Sequence, residues 1–411
     1  MKRSGRCKRV KRCLHHPSRR QECGELSPLW IDSEADLAVV GGGPAGLVAA
    51  IAAARNRARA VLVERYGFLG GMATAACIGP FMPFFDRRGN KVVKGIADEL
   101  VDRLVEAGGA VGHGFVPNAV SHPGFTPFDP EVLKYVALEM VEEAGVELRL
   151  HSYVVDAVVK DNVIRGIVTE SKSGRQILLA KIVVDATGDA DVAARAGAPY
   201  QVGRPEDGLT QPPSLFVRVG NVNTEKLIRY AEEHPEDMGP MKLSFVQMDR
   251  PIPEAKGFTR QHFMGAFYAK TIPKAREAGE VHVGKDWVTT FTDLREGEVI
   301  LNATRVAGGV NCLDVRDLTA AEIEGRKQVM SLFGFLKRRA PGYENAHITS
   351  TGPQIGVRES RRIIGERVLT VDDVVEEREF PDAIARCAYG VDIHDPKGGG
   401  ALRAPSGHGG P

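Results

Sequence analysis

The stretch from Asp36 to Glu64, DLAVVGGGPAGLVAAIAAARNRARAVLVE, decides the fold. Leu37 to Val40 is an apolar run that stops at glycines, the pattern of a buried strand. An Ala-rich helix is predicted from about Pro44 to Asn56, and a second strand from Ala60 to Glu64. Strand, glycine turn, helix and strand in that order make the first half of a parallel βαβ unit. The turn reads Gly41-Gly42-Gly43-Pro44-Ala45-Gly46, a G-x-G-x-x-G between strand and helix. Gly41 permits the tight turn, Gly43 lets backbone approach a pyrophosphate, and Gly46 lets the helix pack closely on the sheet. Pro44 costs little at the first helical position, where the backbone N–H has no helical partner. Pro44 and Ala45 thus open a helix whose N-terminus favours an anion. Glu64 follows Gly41 by 23 residues, near the spacing of an acid that accepts hydrogen bonds from an adenosine ribose. A carboxylate there admits FAD or NAD and repels the 2′-phosphate of NADP.

Two further segments bear on the choice between FAD and NAD. Arg65-Tyr66-Gly67-Phe68-Leu69-Gly70-Gly71-Met72-Ala73-Thr74 follows the second strand, and its Gly70-Gly71 pair lets backbone approach a flat ligand. Val183-Val184-Asp185-Ala186-Thr187-Gly188-Asp189 is a buried strand breaking at a small-residue turn. No second G-x-G-x-x-G unit accompanies them, which weighs against an NAD-dependent dehydrogenase, the rival reading.

Elsewhere, Ile96, Leu100 and Leu104 recur at helical spacing over Ile96 to Glu106. Asp129-Pro130-Glu131 is a helix start, with Gly145 as its stop. Thr319-x-x-Glu322 reads as a capping box opening a helix that reaches about Arg339. Short β-branched runs at 146–150, 154–159, 163–168 and 177–184 are predicted strands, with Asp161-Asn162 as a hairpin turn. Residues 205–310 are mixed in pattern. The expected fold class is α/β: a Rossmann-type parallel sheet with flanking helices and a β-hairpin insertion, plus a mixed second domain. The expected organisation is a disordered basic tail over 1–33, with folded pattern from Asp36, and an FAD-binding domain over 34–204. A substrate or cap domain over 205–344, a return segment over 345–396 and a disordered tail over 397–411 complete it.

Composition bounds the rest. The 411 residues carry a net charge of +1, yet residues 1–20 hold nine Lys/Arg and no Asp/Glu. The remainder has 45 basic against 53 acidic residues, a mildly acidic body that argues against a nucleic-acid partner. No apolar run of about 18 residues exists for a transmembrane helix. The basic start continues into His15, His16 and Pro17 rather than an apolar signal core, so the expected location is cytoplasmic. Six scattered cysteines suggest no disulfide framework. Cys7, Cys13, His15, His16 and Cys23 fit no common metal-site spacing, and no metal ligand is expected.

On the stretches VVGGGPAGLVAAIAAAR, VERYGFLGGMAT, FDPEVLKYV, VVDATGDADVAARAGAP, LTAAEIEGR and PQIGVRESRRIIGE, the chain resembles the FAD-dependent oxidoreductases with a glutathione-reductase-type Rossmann domain. Within them it is most similar to a bacterial group related to the flavin subunit of heterodisulfide reductase. The resemblance covers about Asp36 to Asp395. It implies FAD as cofactor and electron or hydride transfer through the flavin N5, to or from a small-molecule substrate or an electron-transfer partner. It assigns Ala186, Thr187 and Gly188 as a second FAD contact, places Val155 beside the adenine, and puts Gly70–Thr74 near the flavin. It also implies an iron–sulfur cluster, but nothing in this chain has the C-x₂-C-x₂-C spacing of its ligands. Such families end with a strand–turn and a helix over the flavin pyrimidine, which ALRAPSGHGGP does not supply. A truncated fragment with weak FAD binding and no turnover is therefore a further reading.

Catalytic candidates are few. Arg358, Glu359, Arg361 and Arg362 form a charged cluster in which an arginine stabilises an anionic reduced ring or binds a substrate carboxylate. The bland alternative is a salt-bridged surface. His394 and Asp395 admit an active-site position, but a surface pair is the plainer reading. Cys77 reads as a packed small residue rather than a redox thiol. The substrate and the oligomeric state are not legible.

Overall fold

The computed structural model describes residues 29–116, 123–254, 257–398 and 401–404. Cys7, Cys13, His15, His16 and Cys23, with the rest of residues 1–28 and 405–411, lie outside the described residues. Two compact units are present. One runs up to Leu69 and resumes over Leu138–Tyr200; the other comprises Gly70–Ala137 and the chain from Gln201. Residues 70–137, placed by sequence in the first domain, thus group with the second unit.

The first unit is built on a six-stranded sheet. Its order is Glu147–Arg149, Ala60–Val63, Trp30–Val40, Gly174–Asp185, Val163–Ser171, Tyr153–Lys160. The first four strands are parallel, and the last two continue antiparallel from Gly174–Asp185. In register, Val40 lies opposite Val63 on one side and Asp185 on the other, so three strands end together. Ala60–Val63 is buried at every residue, as a strand covered on both faces must be. The hairpin turn falls at Asp161 and Asn162, both left-handed, with φ of 53° and 58°. Ala38, Val40, Val61, Val63, Ile167 and Leu178 form a core within this unit.

The start of this sheet departs from the expected boundary. The first strand begins at Trp30 rather than at Asp36, because Trp30 and Ile31 pair with Gln176 and Ile177 on the neighbouring strand. Pairing to an existing strand supplies order that the polar pattern of residues 30–35 does not announce.

The second unit holds a seven-stranded sheet ordered His347–Thr351, Val217–Gly220, Val299–Asn302, Val288–Thr292, His262–Phe267, Ser244–Met248, Gly114–Phe115. Alternate residues face opposite sides. Val217, Val219, Val299 and Leu301 join a core with the helices Thr224–Glu233 and Val315–Arg339, while Phe216 and Ile300 join another with Phe125 and Phe291. The long helix ends at Arg339, as expected before Pro341. It starts earlier than the Thr319 box implies: Asp314 caps it, accepting from the N–H groups of Arg316 and Asp317. Thr319 lies a turn inside, donating to the Val315 carbonyl at 2.6 Å.

The end of the chain departs from the disordered tail expected over 397–411. Ala401–Ala404 is a strand, paired antiparallel with Val391–His394. The stretch from Lys397 therefore contains regular backbone structure despite its Gly/Pro-rich composition. No helix among the described residues is long and apolar enough to cross a membrane.

Candidate nucleotide site

The glycine turn sits where the three strand ends converge. The Gly41 N–H donates to the Val63 carbonyl at 2.8 Å. Gly41 has a φ of +99°, and a Cβ there would stand 2.4 Å from the Ala186 carbonyl oxygen. Only glycine satisfies both the conformation and the approach. A Cβ on Gly46 would stand 1.8 Å from the Gly41 carbonyl oxygen and 3.1 Å from the Ala186 methyl. The turn at Gly41–Gly46 and the turn at Ala186–Gly188, far apart in sequence, are thus in direct contact. Ala186 is itself fixed by donating its N–H to the Val40 carbonyl at 2.8 Å.

The helix Pro44–Arg55 opens from Gly43 with proline in its first turn, no side-chain cap and no acidic residue there. Pro44 and Ala45 are exposed. An exposed, uncapped N-terminus of a 12-residue helix directs unpaired N–H groups and the positive end of its dipole at one point. Together with the missing Cβ atoms this fits a dinucleotide pyrophosphate.

Glu64 is buried, 5% exposed, and its carboxylate is already engaged by backbone. One oxygen accepts from the Gly42 N–H at 2.6 Å and the other from the Tyr66 N–H at 2.9 Å. The acid therefore braces the glycine turn in addition to any ribose contact. Arg65, next in sequence, is exposed, its guanidinium 4.8 Å from the centre of the Tyr66 ring. Tyr66 in turn stacks on Phe68. Val155 is half-buried, and its carbonyl accepts from Arg195 Nε at 3.0 Å.

Asp185 was not singled out by sequence, yet it organises the second turn. One oxygen accepts from the Thr187 N–H and hydroxyl at 3.1 and 2.7 Å, and the other from the N–H groups of Val192 and Ala193 at 2.9 and 2.8 Å. The legible signal was an acid at a strand end just before a small-residue turn.

The remaining candidates lie in the second unit. Gly70 and Gly71 have positive φ and lead into the short helix Met72–Ala75. Ala73 and Thr74 are buried, and Thr74 donates to the Gly71 carbonyl at 3.2 Å. Cys77 is buried with its thiol against the Thr74 and Thr351 carbonyls, and burial pushes its pKa up, away from thiolate chemistry. The charged cluster separates into parts. Glu359 pairs with Arg362 and accepts the Gln211 N–H at 3.0 Å, a structural arrangement. Arg361 lies on the strand Arg361–Ile363. Arg358 has no carboxylate partner among the described residues and donates to the Pro212 carbonyl and the Ser214 hydroxyl. His394, expected at the surface, is buried, 6% exposed, because it lies on the paired strand Val391–His394 against Arg305. Asp395 is half-buried and accepts from Arg204 at 3.2 Å. Among the described residues no group of three or more His, Cys, Asp and Glu is placed to hold a metal ion.

The model of a family described as FAD dependent oxidoreductase matches residues 36–409. Over 169 residues, 39% of this chain, the sequence is 30% identical to thiamine thiazole synthase of Methanococcus maripaludis. The match spans 58% of that curated relative's length. Among solved structures, p-nitrophenol 4-monooxygenase of Pseudomonas putida is 15% identical with a TM-score of 0.47, over 82% of this chain and 71% of that one. A myxobacterial chondrochloren halogenase is 17% identical with a TM-score of 0.47, over 80% and 64% of the two chains. The relation to heterodisulfide reductase does not emerge from these matches.

Proposed function

Because the chain belongs to the FAD dependent oxidoreductase family, we propose that it moves hydride or electrons to or from a small-molecule substrate through the flavin N5. The observation that carries this reading is the direct contact between the Gly41–Gly46 turn and the Ala186–Gly188 turn, at the convergent strand ends beside Glu64. When bound, FAD supplies the redox chemistry, and the protein supplies binding, orientation and electrostatics.

The residues divide that work. The N–H groups at the start of the helix Pro44–Arg55 hold the pyrophosphate, and the backbone of Gly41 and Gly43 lets it approach. Glu64 accepts from the adenosine ribose while retaining its backbone donors, and Arg65 and Val155 flank the adenosine. Ala186, Thr187 and Gly188 close the second side, with Asp185 keeping that turn in shape. Gly70, Gly71, Met72, Ala73 and Thr74 are assigned to the flavin end by resemblance.

The test is spectroscopic. Purified protein is expected to show flavin absorbance bands and, after denaturation, to release FAD. Gly43→Val is expected to lose bound flavin while keeping its fold. Gly43 has φ −70° and ψ −179°, extended backbone that any residue adopts, so the substitution imposes no backbone strain. Wild-type flavin content in Gly43→Val would overturn the assignment.

A further inference from the structure

The second unit holds two guanidinium groups, Arg305 buried and Arg358 half-buried, with no carboxylate in ion-pair contact among the described residues. Arg305 is 5% exposed. Its position is fixed by Gln328 on the helix Val315–Arg339, whose amide accepts the Arg305 N–H at 2.9 Å and donates to the Arg305 carbonyl at 3.0 Å. The guanidinium donates to the Gly398 carbonyl at 3.2 Å and to His394 Nδ1 at 3.0 Å. Arg358 donates through Nε to the Pro212 carbonyl at 3.1 Å and through one terminal nitrogen to the Ser214 hydroxyl at 2.9 Å. The same segment holds His394, whose N–H donates to Gln211 Oε1 at 3.0 Å.

Neither arginine has a carboxylate within ion-pair distance among the described residues. Asp392 is the acid beside them; it takes the Tyr389 hydroxyl at 3.2 Å and lies 3.9 Å from His394 Nε2. Asp395 is paired with Arg204, and Asp286 with Arg276. Lys285, buried and bonded to Thr289 and the Asn302 carbonyl, adds a further positive charge. Arg218, on another strand of this unit, shows the usual solution, a buried pairing with Asp293. A buried charge without such a partner is unfavourable and calls for an anion.

The donor pattern is specific. Arginine only donates, so His394 Nδ1 accepts from Arg305 and Nε2 carries the proton. Burial and the nearby cations pull the His394 pKa down to about 3, so the ring is neutral in this tautomer. Burial likewise pulls Arg358 down to about 10, with Arg305 adding to the effect. Arg305 Nε, the second terminal nitrogen of Arg358 and His394 Nε2–H are left as donors without a hydrogen-bonded protein acceptor among the described residues. Two guanidinium donors and one imidazole donor match the oxygens of a carboxylate.

We propose that Arg305, Arg358 and His394 form a binding site for a small carboxylate-bearing molecule. Its being the substrate rests on the oxidoreductase reading; its binding does not. The experiment uses the full chain with its flavin and titrates succinate by calorimetry at constant ionic strength, with inorganic phosphate as a second arm. Saturable succinate binding is expected, weakened at least about tenfold in Arg305→Gln and Arg358→Gln. Flavin absorbance per chain is expected to be unchanged in both. Should a variant fail to fold, phenylglyoxal modification of the wild type, mapped by mass spectrometry, replaces it: succinate is expected to protect Arg358 and not exposed Arg165. No saturable succinate binding, binding of phosphate alone, equal affinity in the variants, or no protection of Arg358 would overturn the proposal. A colourless protein that still binds succinate would instead count against the flavin reading alone.

Discussion

Replacing Glu64 by glutamine separates two roles that the site combines. The carboxylate accepts from the Gly42 N–H at 2.6 Å and the Tyr66 N–H at 2.9 Å, in a position 5% exposed. A glutamine keeps one acceptor oxygen and turns an NH₂ toward the other backbone donor. One charge-assisted bond is lost, roughly 1.5–3 kcal/mol, and one buried donor loses its acceptor at a further cost of about 1 kcal/mol. Glu64→Gln should therefore lower the unfolding free energy by about 2.5–4 kcal/mol even without cofactor. Urea denaturation of flavin-stripped protein at pH 7 measures this, alongside FAD titration of the same samples. If stripped wild type and variant unfold within about 0.5 kcal/mol of each other while FAD affinity falls, the backbone bracing is energetically idle and Glu64 serves the ligand alone.

Arg218→Met should cost about 3–5 kcal/mol, because Asp293 is 1% exposed and left without its cation; adding Asp293→Leu should recover most of the loss, as chemical denaturation of both variants would show. Burial pulls the His262 pKa down to about 4, below the ordinary value near 6.5. The unfolded chain thus takes up that proton first, so its contribution is complete above about pH 6.5 and is lost as the pH falls toward 4; His262→Gln should flatten that part of a stability–pH curve. Gly188 has a φ of +79° with open space where a Cβ would sit, so Gly188→Ala should cost only about 1 kcal/mol of backbone strain and leave a melting curve close to wild type.

Much of the first unit was legible in one dimension because its signals are local. A glycine triplet between an apolar run and an Ala-rich helix requires a tight turn, and an acid at the next strand end requires donors. The strands 60–63, 153–160, 163–171 and 174–185 announce themselves by β-branched residues and a left-handed Asp161-Asn162 turn. The second unit was harder to read for a physical reason. Strands such as His262–Phe267 and Val288–Thr292 are buried at every residue, so apolar–polar alternation is absent. Their polar members, His262, Thr290 and Thr292, look like surface residues in a sequence.

What the sequence determined by itself was the dinucleotide fingerprint, the α/β class and the resemblance to FAD-dependent oxidoreductases, the part of it that the family match bears out. Tertiary structure decided which distant groups meet. It set the Ala186 carbonyl against Gly41, turned Glu64 onto Gly42, and made Asp185 the brace of its own turn. It also sorted one charged run into Glu359, paired with Arg362, and Arg358, without a carboxylate partner among the described residues. Residue type and spacing specify local backbone geometry, whereas ion pairing and burial depend on separations of a few ångströms between segments remote in the chain. Those separations exist only once the strands have paired.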